Sequence, residues 1–298
     1  MQRRIPRLIV LLLYGLFALE ALAEDSQQPV GELEQAAPSD CLSCHKEPKI
    51  TAIFSTPHAQ KGDPRMPFAH QACDTCHGVN RPHPKIAFGA KAETPADEQN
   101  QVCLGCHERG DRIHWQGSPH QSSDLACASC HTVHAVHDPI LDKTSQTNVC
   151  FSCHAEQKAQ SYLRSRHPFR EAKMVCSDCH NPHGSTNEFL LTENTVNETC
   201  FNCHTEKRGP YLWEHPPVQE NCALCHNPHG STQDRLLKVR TPYLCQQCHS
   251  EAFHPGTLYD GGGVPPAGAQ SRLLAEGCLN CHYAIHGSNH PAGAAFDR

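Results

Sequence analysis

The chain has 298 residues, with 25 Lys and Arg against 31 Asp and Glu for a net charge of −6, and it is 38% hydrophobic and 6% aromatic. An acidic chain of this kind is excluded as a nucleic-acid binder and prefers partners with basic faces. Its apolar fraction, counted with all twenty cysteines, is too small for the peptide core that this length ordinarily holds.

In chain order, Arg3, Arg4 and Arg7 precede an apolar run from Leu8 to Leu19, and Ala21-Leu22-Ala23 fits a small-residue cleavage site. Residues 1–23 are therefore expected to be a signal peptide. A dozen apolar residues fall short of the roughly twenty that span a bilayer, and no later stretch of eighteen apolar residues follows. Cleavage after Ala23 leaves 275 residues with 22 basic and 30 acidic side chains, a net charge of −8. Residues 24–40, with Gln27, Gln28, Pro29, Gly31 and Pro38, read as a flexible lead-in to a single domain over 41–298.

That domain repeats the pattern C-x-x-C-H ten times. The cysteine pairs are Cys41 and Cys44, Cys73 and Cys76, Cys103 and Cys106, Cys127 and Cys130, Cys150 and Cys153, Cys176 and Cys179, Cys200 and Cys203, Cys222 and Cys225, Cys245 and Cys248, and Cys278 and Cys281. Redox C-x-x-C motifs and zinc ribbons need no histidine next. Chance would put histidine after all ten pairs with a probability on the order of 10⁻¹¹. The pattern is the attachment site of c-type haem: two thioethers to one porphyrin, and the adjacent histidine on its iron. Ten covalently bound haems, with iron on His45, His77, His107, His131, His154, His180, His204, His226, His249 and His282, are expected to replace the missing core. Haem attachment of this type follows export, which places the chain in the bacterial periplasm or beyond.

The motifs recur every 22 to 33 residues among Pro, Asn, Ser and Thr, which leaves little room for strands. Mostly coil with short helices running into the C-x-x-C turns is the expected fold class, a multihaem cytochrome c. Thr94-Pro95-Ala96-Asp97 predicts one helix start, with Thr94 as cap and Pro95 at the first helical position. Residues 261–268 read as a flexible Gly/Pro loop.

Fourteen histidines remain, and their spacing exposes a repeat of two haems. After odd-numbered motifs the next spare histidine is thirteen, eleven or five residues past the attached one: His58, His120, His167, His215 and His254. After even-numbered motifs it is three to six residues on: His83, His134, His183, His229 and His286. These ten are the expected distal ligands. A histidine three residues past its neighbour is too close to loop over the same macrocycle, so the short-spaced ones are expected to cross to neighbouring haems. His70, His114, His137 and His290 are surplus. Met66 and Met174 are expected to pack rather than ligate, so ligation should be all-histidine and potentials low. With every iron six-coordinate, no position is open to a substrate, and no catalytic residue is expected. The stretches Cys176–Thr186 and Cys222–Thr232 share C-x-x-C-H-N-P-H-G-S-T, and stacked two-haem units predict an elongated linear array.

Several longer stretches resemble the periplasmic decahaem cytochromes of the MtrA and DmsE type: Cys41-Leu42-Ser43-Cys44-His45, Ala126 to His131, both N-P-H-G-S segments, Glu206 to Pro210 with Leu212 to His215, and His286 to Pro291. The resemblance covers the whole mature chain. It implies a bis-histidine wire inserted in a porin-like outer-membrane β-barrel. Such a wire takes electrons from a periplasmic or inner-membrane cytochrome and exchanges them with an extracellular multihaem cytochrome or a terminal acceptor or donor such as metal oxides, iron or sulfoxide. A soluble periplasmic shuttle for a terminal reductase is the alternative reading.

Overall fold

The computed structural model describes residues 38–78, 83, 85–249, 278–280, 282–291, 293, 294 and 296. The expected signal peptide, most of the lead-in, the Gly/Pro loop at 261–268 and His254 lie outside the described residues.

Each motif is built on one local device. The amide N–H of the attached histidine donates to the carbonyl of the first cysteine four residues earlier, at 2.9–3.1 Å in eight of the ten motifs, and helical bonding covers the second and third. That single turn brings cysteines at i and i+3 and histidine at i+4 to one side.

The lead into the turn alternates. Odd motifs are entered by an α-helix that carries the first cysteine: Pro38–Leu42, Ala96–His107, Gln146–Cys150, Val196–Phe201 and Tyr243–Gln246. Four even motifs open instead on a 3₁₀ turn at the first cysteine, at Cys127–Ser129, Cys176–Asp178, Cys222–Leu224 and Cys278–Asn280. The second motif is the exception, a short α-helix Cys73–His77. Among the described residues there are isolated β-bridges but no strand, and no helix is long and apolar enough to cross a membrane.

Two expected boundaries shift. The helix before the third motif starts at Ala96, with Pro95 extended in the cap position (ψ 145°), because the Thr94 hydroxyl accepts from the Ala87 amide instead of capping. The helix Pro38–Leu42 begins inside the stretch expected to lead in without regular structure.

Little of the protein is held by apolar burial. Among the described residues only Ile53, Phe68, Ala72, Trp115, Ala126, Val175 and Leu191 are buried hydrophobics, and only the first three form a cluster, edged by Phe54 against Phe68 at 5.5 Å. Buried amides join the segments instead. Asn100, 2% exposed, donates to the Leu125 carbonyl at 3.0 Å and accepts from the Cys127 amide at 2.7 Å. Asn197, 6% exposed, donates to the Val218 and Gln219 carbonyls and accepts from the Cys222 amide at 2.6 Å. Each ties an odd helix to the start of the next even motif.

Candidate haem sites

The sulfurs show how the ten motifs succeed one another. The first cysteine of each odd motif meets the first cysteine of the next even one: Cys41 with Cys73, Cys103 with Cys127, Cys150 with Cys176, Cys200 with Cys222, and Cys245 with Cys278. As free thiols three of these pairs share a hydrogen bond that holds Cys103, Cys176 and Cys222 down and pushes Cys127, Cys150 and Cys200 up. The second cysteine of the second, fourth, sixth and eighth motifs faces the motif after it. Burial foremost, then the charges of Cys103 and Cys106, raises Cys76 to about 11. Cys130 is raised by burial and then by Cys150 and Cys153, Cys179 by burial, then Asp178 and Cys203, and Cys225 by burial and then Cys248. The motifs are thus neighbours in the order in which the chain makes them, grouped in twos.

The histidines pair across this order. Ring centroids lie 6.1 Å apart for His58 and His107, 6.2 Å for His77 and His134, 6.1 Å for His120 and His154, and 6.1 Å for His131 and His183. They lie 6.3 Å apart for His167 and His204, 6.1 Å for His180 and His229, 6.1 Å for His215 and His249, and 6.2 Å for His226 and His286. Every pair joins one histidine of a C-x-x-C-H motif to one spare. Spares that come after odd motifs reach forward two motifs, from the first to the third and so on. Spares that come after even motifs reach back two.

A single separation at eight sites is a chemical constraint. Two imidazoles on opposite sides of one metal, at metal–nitrogen distances of about 2.0 Å, with each ring centre about 1.1 Å behind its nitrogen, have centroids about 6.2 Å apart. The residues present therefore fit a six-coordinate iron in which the porphyrin supplies four ligands and the pair supplies two.

Protonation and orientation agree with this. Burial, the largest cause, lowers His58, His134, His183, His215 and His229, and takes His286 down to about 4, so these rings are neutral and able to ligate. Hydrogen bonds at Nδ1 leave Nε2 for the metal. His77, His180 and His226 donate from Nδ1 to the carbonyls of Ile86, Phe189 and Arg235, each nine residues on, at 3.1, 2.7 and 2.8 Å. Phe189 and Arg235 adopt positive φ of 56° and 58°, a strained backbone that aims those carbonyls. Among the spares, His120, His134 and His167 donate to the carbonyls of Pro182, Ile50 and Pro228 at 2.7, 3.0 and 2.7 Å.

The stretch from Cys176 to Ser185 consequently serves three sites. Cys176, Cys179 and His180 form one, the Pro182 carbonyl orients the spare ring of a second, and His183 faces His131 of a third. Asn181 shapes the turn, accepting from the His183 amide at 3.1 Å and donating to the Asp111 carbonyl at 2.8 Å. The glycine after three of the short-spaced spares, His183, His229 and His286, is required: Gly184, Gly230 and Gly287 have φ of 116°, 154° and 131°, and an added Cβ would strike His114 O, Gln160 O and the Tyr211 ring respectively.

The rings of His45 and His282, and the spare His83, fall outside these eight pairs. Of the surplus histidines, His70 donates from Nε2 to the Pro64 carbonyl at 2.7 Å. Spacing did not reveal Asn100, Asn197 or the direction in which spares cross. The one available signal was asparagine three residues before the first cysteine in the third and seventh motifs, with buried Thr147 in the same place in the fifth.

Comparison with known proteins places these features. A doubled CXXCH motif model matches residues 167–209 and 215–254, and a cytochrome c-type protein NrfB-like model matches 73–145. The chain is similar to the multiheme cytochrome MtrA of Shewanella baltica (strain OS185), 46% identical over 283 residues that cover 92% of this chain and 85% of the relative. It is also similar to the cytochrome c-type protein NrfB of Haemophilus influenzae, 30% identical over 46% of this chain and 77% of that one.

Proposed function

Because the chain belongs to the MtrA family of multihaem c-type cytochromes, and so transfers electrons through c-type haems, we propose that it is a ten-haem wire in which every iron is held by two histidines. Each haem, when bound, supplies a one-electron Fe(III)/Fe(II) couple. The chain's own part is to attach it through Cys41, Cys44 and the other eighteen cysteines, to fill both axial positions, and to fix the spacing between sites. The observation that carries this reading is the constant 6.1–6.3 Å separation of eight histidine pairs. Continued to its ends, the interleaving leaves His83 for the first haem, opposite His45, and His254 for the tenth, opposite His282. With both axial positions taken by the protein's own histidines, haem held here would serve electron transfer and leave no position for a substrate, which is the role of a carrier rather than an enzyme.

The sites succeed one another in sequence order, which supports a linear array exported by residues 1–23. Propionates and a net charge of −8 cannot face lipid, so an array that crosses the outer membrane needs a protein sheath, and large β-barrels supply one. The wire then runs through a barrel partner between a periplasmic or inner-membrane donor and an extracellular multihaem cytochrome or acceptor. Similarity along nearly the whole chain to a protein named MtrA favours this conduit over a free periplasmic shuttle. Isolated outer membranes washed with high salt should retain the cytochrome in complex with a barrel protein. Release as a free monomer would select the shuttle.

A further inference from the structure

The even motifs serve as their own controls. In the second, sixth and eighth, the attached histidine donates from Nδ1 to a backbone carbonyl nine residues on. In the fourth, the residue at that place is Ile140, and its carbonyl is replaced by a side chain. His131 Nδ1 donates to Asp138 Oδ2 at 2.7 Å, while the other carboxylate oxygen accepts from the Thr132 amide at 3.1 Å and the Ile140 amide at 3.4 Å. The Asp138 side chain is 14% exposed, so it is pinned by three bonds and largely shielded from water. Among the described residues the other ion pair of an attached histidine is with Glu206, which lies 3.7 Å from His204 Nδ1, beyond hydrogen-bond distance, and is well exposed.

A carbonyl and a carboxylate act differently on an axial imidazole. The anionic acceptor makes a stronger, charge-assisted bond, draws the Nδ1 proton toward itself and makes Nε2 a more basic ligand. A more basic ligand and a nearby negative charge both favour ferric over ferrous iron. Opposite His131 stands His183, which has Asp111 and Arg112 nearby, charges of opposite sign that offset one another.

We propose that Asp138 is a positioning and tuning residue that holds the haem on Cys127 and Cys130 at a lower reduction potential than its counterparts on the second, sixth and eighth motifs. This rests on His131 being an axial ligand, as proposed above.

The test is an optical redox titration of the full haem-loaded protein and its D138N, D138S and D142N variants. Asn and Ser keep an acceptor for the Thr132 amide and remove the charge. Asp142, four residues on, takes its bonds from Thr144 and touches no histidine in the haem pairs. The expected result is that in D138N and D138S a low-potential component carrying about a tenth of the amplitude moves positive by at least tenfold in its equilibrium constant, about 59 mV for one electron, while D142N leaves it in place. An unmoved component with all haems low-spin overturns the proposal and leaves ligation intact. So does an equal shift in D142N, or loss of one haem in both Asp138 variants, which would make Asp138 structural. High-spin haem in the unsubstituted protein would instead count against the ligation reading.

Discussion

Odd and even motifs share five residues and little else. An odd motif is entered by a helix, releases a spare histidine well downstream, and sends it forward two motifs. An even motif opens on a tight turn, offers a histidine three or four residues on in most copies, and sends it back two. The two arms interlock, so each of the eight paired sites is completed by a segment two motifs away in the chain. What this teaches is that the two-haem unit is a unit of spacing, while closure of each iron belongs to the row of units around it.

Damage to the docking of an even arm should have the largest effect. In G184A or G230A an added Cβ meets the backbone carbonyl of His114 or Gln160 at a positive φ. Overpacking costs about 1–3 kcal/mol and left-handed strain about the same again, so thermal unfolding should fall sharply and one haem should become high-spin. The same substitution at Gly105, where a Cβ meets nothing, should leave both readouts unchanged.

The odd-to-even clamp comes next. N100A or N197A leaves the half-buried amide of Cys127 or Cys222 without its partner, a loss of about 1 kcal/mol. Denaturant titration should register it with haem content unchanged, and an unaltered midpoint would show that the porphyrins alone hold the units together.

The smallest effect is spectroscopic and leaves the fold intact. Ring planes are nearly parallel, within 10–22°, for the pairs of the fourth, sixth, eighth and ninth motifs, steep, 69–76°, for those of the second, third and fifth, and 48° apart for that of the seventh. Imidazole orientation sets how the iron d-orbitals split, so ferric paramagnetic resonance should resolve two families of low-spin signals. H134G should deplete the steep family and H183G the parallel one. One uniform family would contradict this geometry.

The coil-and-short-helix fold was legible in the sequence because the haem motifs dictate it: each C-x-x-C-H closes one turn, and nearby prolines keep that turn from growing into a longer helix. The two-haem period was legible in the alternating intervals. The direction of crossing was not, because thirteen residues from His107 to His120 give reach without an address; the address lies in long-range bonds such as Pro182 O to His120 Nδ1. Asn100 and Asn197 were hidden for a similar reason. A buried asparagine looks like any loop asparagine until its partner 25 to 27 residues away is known. Asp138 could be noticed only against the carbonyls that its neighbours use.

The interlocked ligand scheme is tested most directly by removing His183 and asking which haem loses its ligand. The H183G protein should gain high-spin haem equal to about a tenth of the total, and that signal should vanish when Cys127 and Cys130 are also replaced. If it survives there and vanishes on replacing Cys176 and Cys179, His183 serves the haem of its own motif and the scheme of arms reaching two motifs away is wrong.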